Sequence, residues 1–137
     1  MLVKPMREEL TSIGVEELLT ADQVDKWMNE KTGTAMLVVN SVCGCAAGMA
    51  RPGVRQALES DARPDRVATV FAGQDLEATA RARGHMPQIP PSSPSIAIFK
   101  DGELVYFLPR HRIEGRSADQ VAADLSSAFA EHSAVSA

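Results

Sequence analysis

The chain has 137 residues, enough for one domain with its own hydrophobic core, and we expect residues 1–137 to form a single domain. Its hydrophobic content of 45% is typical of folded proteins, and a net charge of −4, with basic residues scattered among acidic ones, argues against a nucleic-acid partner. No apolar run approaches the roughly 20 residues that span a membrane, and the charged N-terminus is unlike a signal peptide, so we expect a cytoplasmic protein with no membrane partner.

The first part of the chain alternates predicted helices with a strongly apolar strand. Residues 1–19 predict a short helix followed by a turn. Thr20 and Gln23 form a capping-box pattern, which predicts the start of a second helix. The continuous and β-branched run "TAMLVVNS" (34–41) predicts a strand that is buried on both faces. A third helix is predicted over residues 46–62.

The middle of the chain repeats this alternation. Pro52 predicts a kink or a break in the third helix, because proline has no N–H to donate to the preceding turn. The run "DRVATVFAG" (65–73) predicts a second buried strand, parallel to the first across the helical connection. Residues 74–84 predict another helix, with Leu76 and Ala80 facing the core.

The last part of the chain contains the clearest pattern. A segment rich in proline and serine, "HMPQIPPSSPS" (85–95), predicts a loop. The following "SIAIFKDGELVYFL" predicts two strands joined at Asp101 and Gly102, a pair typical of β-hairpin turns. A second capping box opens an amphipathic helix predicted over residues 117–132.

The order of the predicted elements indicates the fold. Two parallel strands with helical crossovers, followed by a hairpin and a closing helix, are typical of the thioredoxin fold. We therefore predict an α/β protein with a thioredoxin-like fold. Its central mixed sheet is expected to have four strands, flanked by helices, with an extra helix at the N-terminus.

Both cysteines lie in "SVCGCAAG" (41–48), where the first buried strand ends and the next helix begins. In an open α/β sheet, ligands bind at the carboxyl ends of the strands. A thiol at Cys43 would face the unpaired N–H groups and the positive dipole end of the helix, which favour the thiolate. Since the thiolate is the attacking species in disulfide exchange, Cys43 is the predicted nucleophile.

Cys45 lies two positions further on, in the first helical turn. This more sheltered position suits a resolving thiol that attacks a mixed disulfide on Cys43. Gly44 matters because a bulky residue between the two thiols would hinder closure of so small a ring. A disulfide across one residue is strained, and strained disulfides are more oxidising. We therefore expect a pair that strips thiol caps or shuffles disulfides, not a strong reductant.

Two other interpretations of the cysteines stay open. They could be inert core thiols, because an unpaired cysteine is often a small buried hydrophobe. They could also bind a metal, although zinc needs about four ligands and His85, His111 and His132 have no paired ligand spacing. Copper(I) could accept two thiolates, so a non-enzymatic redox or copper(I)-binding module is the alternative. We predict no resident metal and no cofactor.

A second candidate region precedes the predicted hairpin. Pro94 cannot donate to a ladder and fits only at the first position of a buried strand. In the thioredoxin fold that position typically carries a cis proline beside the reactive cysteine, so we predict a cis bond between Ser93 and Pro94. The backbone of Ser93 is then expected to pair with an incoming substrate chain.

A third candidate region, "PRHRIEG" (109–115), follows the hairpin. Its bases at Arg110, His111 and Arg112 could form a solvated connection without a role in binding. They could also form a small cationic patch that accepts the carboxylates of a low-molecular-weight thiol. Glu114 is expected to pair with one of these bases.

Three stretches of this sequence resemble one known family. They are "MREELTSIGVEELLT" (6–20), "VNSVCGCAAGMARPGV" (39–54) and "PPSSPSIAIFKDGELVYFLPRHRIEG" (90–115). Together they are similar to the bacilliredoxins, bacterial thioredoxin-fold proteins with a C-G-C active site. The resemblance covers nearly the whole chain.

The resemblance implies a thiol-disulfide oxidoreductase whose partners are S-thiolated client proteins and bacillithiol or another low-molecular-weight thiol. In that family the first cysteine attacks a protein mixed disulfide with bacillithiol and the second can resolve it. By position, Cys43 becomes the nucleophile, Cys45 the resolving thiol and Pro94 the cis proline. The family is also described as having weak disulfide isomerase-like activity, which is a second possible activity of this chain.

Overall fold

The structure, a computed structural model, describes residues 3–132, and the ends of the expected domain (1–2 and 133–137) lie outside that range. The described helices and strands are, in chain order, α1 (Lys4–Thr11), β1 (Glu16–Glu17), α2 (Ala21–Asn29), β2 (Thr34–Asn40), α3 (Arg51–Ala57), β3 (Arg66–Phe71), α4 (Leu76–Gly84), β4 (Ser95–Lys100), β5 (Glu103–Leu108) and α5 (Ala118–His132). A π-helical turn, Ala46–Ala50, leads into α3, and a 3-10 turn, Arg110–Arg112, follows β5. None of the described helices is long and apolar enough to cross a membrane.

The strands form one mixed sheet in the order β1-β3-β2-β4-β5. Strands β1, β3 and β2 are parallel, whereas β4 runs antiparallel to β2 and β5 antiparallel to β4. The predicted four-stranded mixed sheet of a thioredoxin-like fold is therefore confirmed. The difference is a fifth strand of two residues, β1, at the edge beside β3.

Successive side chains of β2 point to opposite faces of the sheet, and both faces are buried, which explains why its apolar run is continuous. All seven residues of β2 are buried. Met36 and Val38 pack in a hydrophobic cluster with α3 and α5, whereas Leu37 and Val39 pack in a second cluster with α2 and α4. Helices thus cover both faces of the sheet, and the strand needs apolar side chains in both directions.

Features that depend on short stretches of sequence are present where the sequence predicts them. Thr20 and Gln23 form the predicted capping box of α2. Positive φ angles at Asp101 (50°) and Gly102 (87°) make the tight turn between β4 and β5. The helix after the cysteines continues through Pro52 instead of breaking, and the wider π-helical turn ends at Ala50, two residues before that proline.

The predicted orientation of α4 is wrong. Leu76 is 71% exposed and Ala80 is also exposed, whereas Ala78 and Ala82 are fully buried. Leu76 is the first residue of α4, at its N-terminal end. The small side chains of Ala78 and Ala82 form the face of the helix that packs in the second cluster. The fit of this helix against its neighbours, and not the hydrophobicity of one residue, sets its orientation.

The sheet register determines where the site forms. Val39 of β2 pairs with Ser95 of β4, so the chain just beyond β2 lies beside the chain just before β4. Leu108, at the end of β5, pairs with Ile96 of β4 and reaches the same edge. The turn after β2, the loop before β4 and the segment after β5 therefore meet at one end of the sheet.

Candidate active site

The two cysteines lie in a short turn that leads from β2 into a helix. Helical conformation begins at Gly44, one residue after Cys43. The backbone N–H of Ala46 and that of Ala47 donate to the carbonyl oxygen of Cys43, at 3.1 and 3.3 Å. Cys43 is partly exposed, while Cys45 is buried with 7% of its surface exposed. The more exposed thiol is therefore the one at the start of the helix, as the sequence predicts.

Both cysteines are free, and their sulfur atoms lie in hydrogen-bond contact. The distance from Cys43 Sγ to Cys45 Sγ is 2.7 Å. This is longer than the roughly 2.05 Å of a disulfide bond, and it is close enough that the two sulfur atoms are in direct contact.

Electrostatic effects favour the thiolate at Cys43. Burial by itself would raise the pKa of Cys43. Hydrogen bonds from the Cys45 thiol and from the backbone N–H of Ala46, with a smaller one from the Ser41 side chain, outweigh this effect and lower the pKa below its ordinary value. Cys43 therefore carries a larger thiolate fraction at neutral pH than a free cysteine does.

The pKa of Cys45 shifts in the opposite direction. Burial raises it, and the hydrogen bond to Cys43 and the negative charge of that thiolate raise it further. The positive charge of Arg110 acts the other way and lowers it in part. The pair therefore has one thiol that ionises more readily and one that keeps its proton while the first is ionised.

The predicted cis proline is present. The Ser93–Pro94 peptide bond is cis, and Pro94 is buried directly before β4. By the register of β2 and β4, it lies next to the turn that carries the cysteines. Ser93 is half-buried, and its carbonyl oxygen accepts a hydrogen bond from Arg110 Nη1 at 3.4 Å.

The predicted basic patch is only partly brought to the site. Arg110 bonds to Ser93, pairs with Glu114 at 3.3 Å as expected, and lies close enough to the cysteines for charge interaction with both. His111 is exposed in the same 3-10 turn, and its ring makes no hydrogen bond or ion pair with any residue in the described range. Arg112 points its charge toward Asp124 of α5, at 4.0 Å.

Gly44 is exposed between the two thiols. A Cβ atom built at this position would meet nothing within 4 Å, and its backbone is not in the left-handed region. The reduced conformation therefore does not require glycine here. Any requirement for Gly44 must come from closure of the disulfide or from approach of a substrate.

A buried polar network behind the turn was missed by the sequence reasoning. Arg51 is 2% exposed, and its Nη1 donates to Asn40 Oδ1 at 2.9 Å and to the Ser41 carbonyl oxygen at 2.8 Å. The signal in the sequence is that Arg51 is the only charged residue between positions 41 and 54. A lone charge in such a segment has to find buried partners or leave the core.

The described part of the chain brings no cluster of metal-binding side chains to the thiols. Among residues 3–132, no three His, Cys, Asp or Glu side chains come together in a group that could hold a metal ion.

Comparisons with known proteins place this geometry in a family context. A family model described as "Disulphide isomerase" matches residues 1–133. The chain is 54% identical over 132 residues to a bacilliredoxin of Koribacter versatilis, covering 96% of this chain and 91% of that protein. It is 55% identical over 130 residues to a bacilliredoxin of Cytophaga hutchinsonii, covering 95% of this chain and 96% of that one.

Solved structures agree on the fold. Thioredoxin from Fasciola hepatica superposes with a TM-score of 0.61 at 22% identity, over 86% of this chain and 99% of that one. Thioredoxin from Malassezia sympodialis gives a TM-score of 0.59 at 18% identity, over 88% of this chain and 92% of that one. At these identities the structures establish the thioredoxin fold and nothing finer.

Proposed function

This chain belongs to the bacilliredoxin family and is a thiol-disulfide oxidoreductase, and we propose that it removes a low-molecular-weight thiol, bacillithiol or an equivalent, from mixed disulfides on client proteins. The observation that carries the proposal is the sulfur pair at 2.7 Å with opposite pKa shifts. A lowered pKa at the partly exposed Cys43 suits attack, and a raised pKa at the buried Cys45 suits a second, later step.

In the first step, the thiolate of Cys43 attacks the sulfur of the small thiol in the mixed disulfide. The bond between that sulfur and the client sulfur breaks, and the client leaves as a thiolate that takes up a proton. Cys43 now carries the small thiol. Its sulfur no longer bears a negative charge, so the two effects by which Cys43 raises the pKa of Cys45 are removed.

In the second step, Cys45 loses its proton and attacks the sulfur of Cys43. A bond forms between Cys43 and Cys45, and the small thiol leaves as a thiolate. The two electrons of the dithiol have then reduced the client disulfide, and the enzyme holds an internal disulfide. A thiol reductant must supply two electrons and two protons to start another cycle.

The remaining predicted residues take binding roles in this proposal. The main chain at Ser93, before the cis Pro94, pairs with the client segment that carries the cap. Arg110 binds a carboxylate of the small thiol. Its hydrogen bond to the Ser93 carbonyl oxygen and its charge interaction with both cysteines support this role. His111 is a secondary contact that can join once substrate is bound, and Gly44 leaves room for the incoming disulfide.

The test uses a client protein carrying one bacillithiol mixed disulfide, with bacillithiol release followed by mass spectrometry. Wild-type enzyme is expected to release the cap and to end as the Cys43–Cys45 disulfide. Cys45→Ser is expected to free the client and to retain the cap on Cys43 as a mass increase. Cys43→Ser is the matched control, and release at the wild-type rate by this variant would disprove the proposal.

Disulfide isomerisation is the second candidate, favoured by the description of the matching family model. An isomerase rearranges the disulfides of a scrambled substrate without net electron transfer. Incubation of a scrambled disulfide protein with reduced enzyme, in the absence of other reductant, separates the two activities. Recovery of native pairing by Cys45→Ser at the wild-type rate would favour isomerisation, because that reaction needs only Cys43.

A further inference from the structure

The charged side chain that is most deeply buried near the cysteines has no part in the two chemical steps. Arg51 is 2% exposed, although a charged group taken from water without partners is costly. It sits two helical turns after Cys43, on the first turn of α3. Burying its charge costs desolvation free energy that an apolar side chain in the same place would avoid. The contacts of Arg51 therefore indicate what the buried charge does.

The contacts of Arg51 converge on the end of β2. Its Nη1 donates to the side-chain oxygen of Asn40 and to the carbonyl oxygen of Ser41. The same Asn40 oxygen accepts the backbone N–H of Ser41 at 2.8 Å. Asn40 is 2% exposed, so all of these groups are removed from solvent. Ser41 is thereby fixed through both its N–H and its carbonyl oxygen.

Ser41 in turn holds the nucleophile. Its Oγ accepts the backbone N–H of Cys43 at 3.1 Å, and its side chain also contributes to the environment of the sulfur. A continuous path of hydrogen bonds thus runs from Arg51 through Ser41 to Cys43. Each link is short, and no link relies on an exposed side chain.

Helix α1 anchors the far side of the same network. The carboxylate of Glu9 lies 3.1 Å from Arg51 Nε, and Asn40 Nδ2 donates to the carbonyl oxygen of Met6 at 3.2 Å. The Glu9 contact is an ion pair by distance, without the direction of a hydrogen bond, since Arg51 Nε has no hydrogen-bond partner. The N-terminal helix therefore supports the turn but does not replace the contacts made by Nη1.

We propose that Arg51 is a positioning residue for the nucleophile, acting through Asn40 and Ser41 to hold the turn in which Cys43 reacts. This inference deepens the proposed function and rests on Cys43 as its nucleophile. Loss of the Nη1 contacts removes the Arg51 donor from the Ser41 carbonyl oxygen and leaves Asn40 Oδ1 with only the N–H of Ser41. Ser41 is then free to rotate away from Cys43, and the thiolate loses part of its support.

The test is the rate at which iodoacetamide alkylates Cys43 between pH 4 and pH 10, with the modified cysteine assigned by fragment mass spectrometry. Arg51→Met is expected to raise the pKa of Cys43 and to slow alkylation at pH 6 by about fivefold, roughly the effect of one hydrogen bond. Arg51→Lys is expected to restore part of the rate, because an ammonium group can still donate to one acceptor.

The matched control is Arg66→Met. Arg66 also donates to two backbone carbonyl oxygens, those of Trp27 and Glu30, but at the opposite end of the sheet. Both methionine variants are expected to lower the melting temperature, whereas only Arg51→Met is expected to change the alkylation profile. Identical profiles for the two variants would overturn the inference and leave Arg51 a purely structural residue.

Ser41→Ala keeps the test decisive if Arg51→Met does not fold. Its hydroxyl is the last link of the path, and the variant is expected to reproduce the slower alkylation of Cys43. In the double variant the two effects should not add, because both act on one contact. A wild-type profile for Ser41→Ala would also overturn the inference. A wild-type protein whose Cys43 has an ordinary pKa would instead contradict the proposed function itself, so the two failures are distinguishable.

Discussion

The two ends of strand β2 pair their backbone groups with side chains of opposite charge. At the amino end of β2, Asp65 Oδ2 accepts the N–H of Thr34 at 3.0 Å, and Asp101 Oδ1 accepts the N–H of Gly33 at 2.9 Å. At the other end, Arg51 donates to the carbonyl oxygen of Ser41. Beside this contact, Arg110 donates to the carbonyl oxygen of Ser93 in the loop before β4.

Chain polarity explains this difference and what it does for the thiols. The beginning of a strand presents unpaired N–H groups, which carboxylates satisfy, and its end presents carbonyl oxygens, which need donors. Arg51 therefore lies at the carboxyl end of β2, where Cys43 begins a helix. At this end, the charge of Arg110 favours the thiolate of Cys45, and backbone N–H groups at the start of the helix favour that of Cys43.

The largest expected effect comes from reversing one charge at the cysteine end. Arg110→Glu is expected to lower kcat/KM for cap removal about 10- to 100-fold, because it repels a carboxylate of the small thiol and disfavours the thiolate of Cys45. Steady-state kinetics with the capped client measures this. Arg112→Glu is the control, since Arg112 lies toward Asp124 instead. Equal losses in both variants would show that general charge, and not the position of Arg110, matters.

The next effect concerns the packing that supports the cysteine end. A Cβ atom at Gly53 would lie 2.7 Å from Val121 Cγ1 and 3.3 Å from the Ala118 carbonyl oxygen, where α3 approaches α5. Gly53→Ala is therefore expected to lower the free energy of unfolding in urea by about 2 kcal/mol. Gly48→Ala, in the same helical segment with nothing within 4 Å of its Cβ, is expected to be neutral or stabilising. A stable Gly53→Ala protein would contradict the close packing of these helices.

A smaller effect is expected at the amino end. Asp65→Ala leaves the buried N–H of Thr34 without its acceptor and is expected to lower the free energy of unfolding by about 1 kcal/mol. The alkylation rate of Cys43 should not change, because no contact of Asp65 reaches the cysteine end. Asp61→Ala, which removes an exposed carboxylate from the same loop, is the control for a change of net charge. Slower alkylation in Asp65→Ala would contradict the separation of the two ends.

The smallest structural effect is expected at Gly44. Gly44→Ala should change the free energy of unfolding by less than about 0.5 kcal/mol, since the new Cβ meets no atom within 4 Å. Formation of the Cys43–Cys45 disulfide, measured by mass spectrometry, should be slower if closure of the small ring needs glycine. Unchanged stability and unchanged closure together would remove any special role for this residue.

The sequence predicted the parts of the fold that depend on neighbouring residues. The buried strands, the capping boxes and the turn at Asp101 and Gly102 all follow from short patterns, and the structure contains them. Strand β1 was missed because Glu16 and Glu17 pair with β3 through their backbones and show no apolar alternation. Leu76 was assigned to the core wrongly because helix orientation depends on contacts with distant elements.

The candidate site divides in the same way. Cys43 and Cys45 were predicted as the reactive pair because a strand followed by a helix is visible locally, and the cis bond before Pro94 was predicted from the thioredoxin-like fold together with the cysteine motif. The network of Arg51 and Asn40 was not found, because it joins α1, the end of β2 and α3, which only the folded chain brings together. Sequence patterns identify reactive groups more readily than the buried groups that hold them.

The central claim is that Cys43 is the attacking thiol and Cys45 the resolving thiol. The pH dependence of alkylation tests this claim most directly. Reduced wild-type protein is pulsed with iodoacetamide across the pH range, and the modified cysteine is assigned by fragment mass spectrometry. Because its pKa is lowered, Cys43 should stay reactive as the pH falls below the ordinary thiol range near 8.5, and lose reactivity only below its own pKa. Cys45, with a raised pKa, should react only above that range. Equal midpoints near 8.5 for both thiols, or faster alkylation of Cys45, would contradict the account.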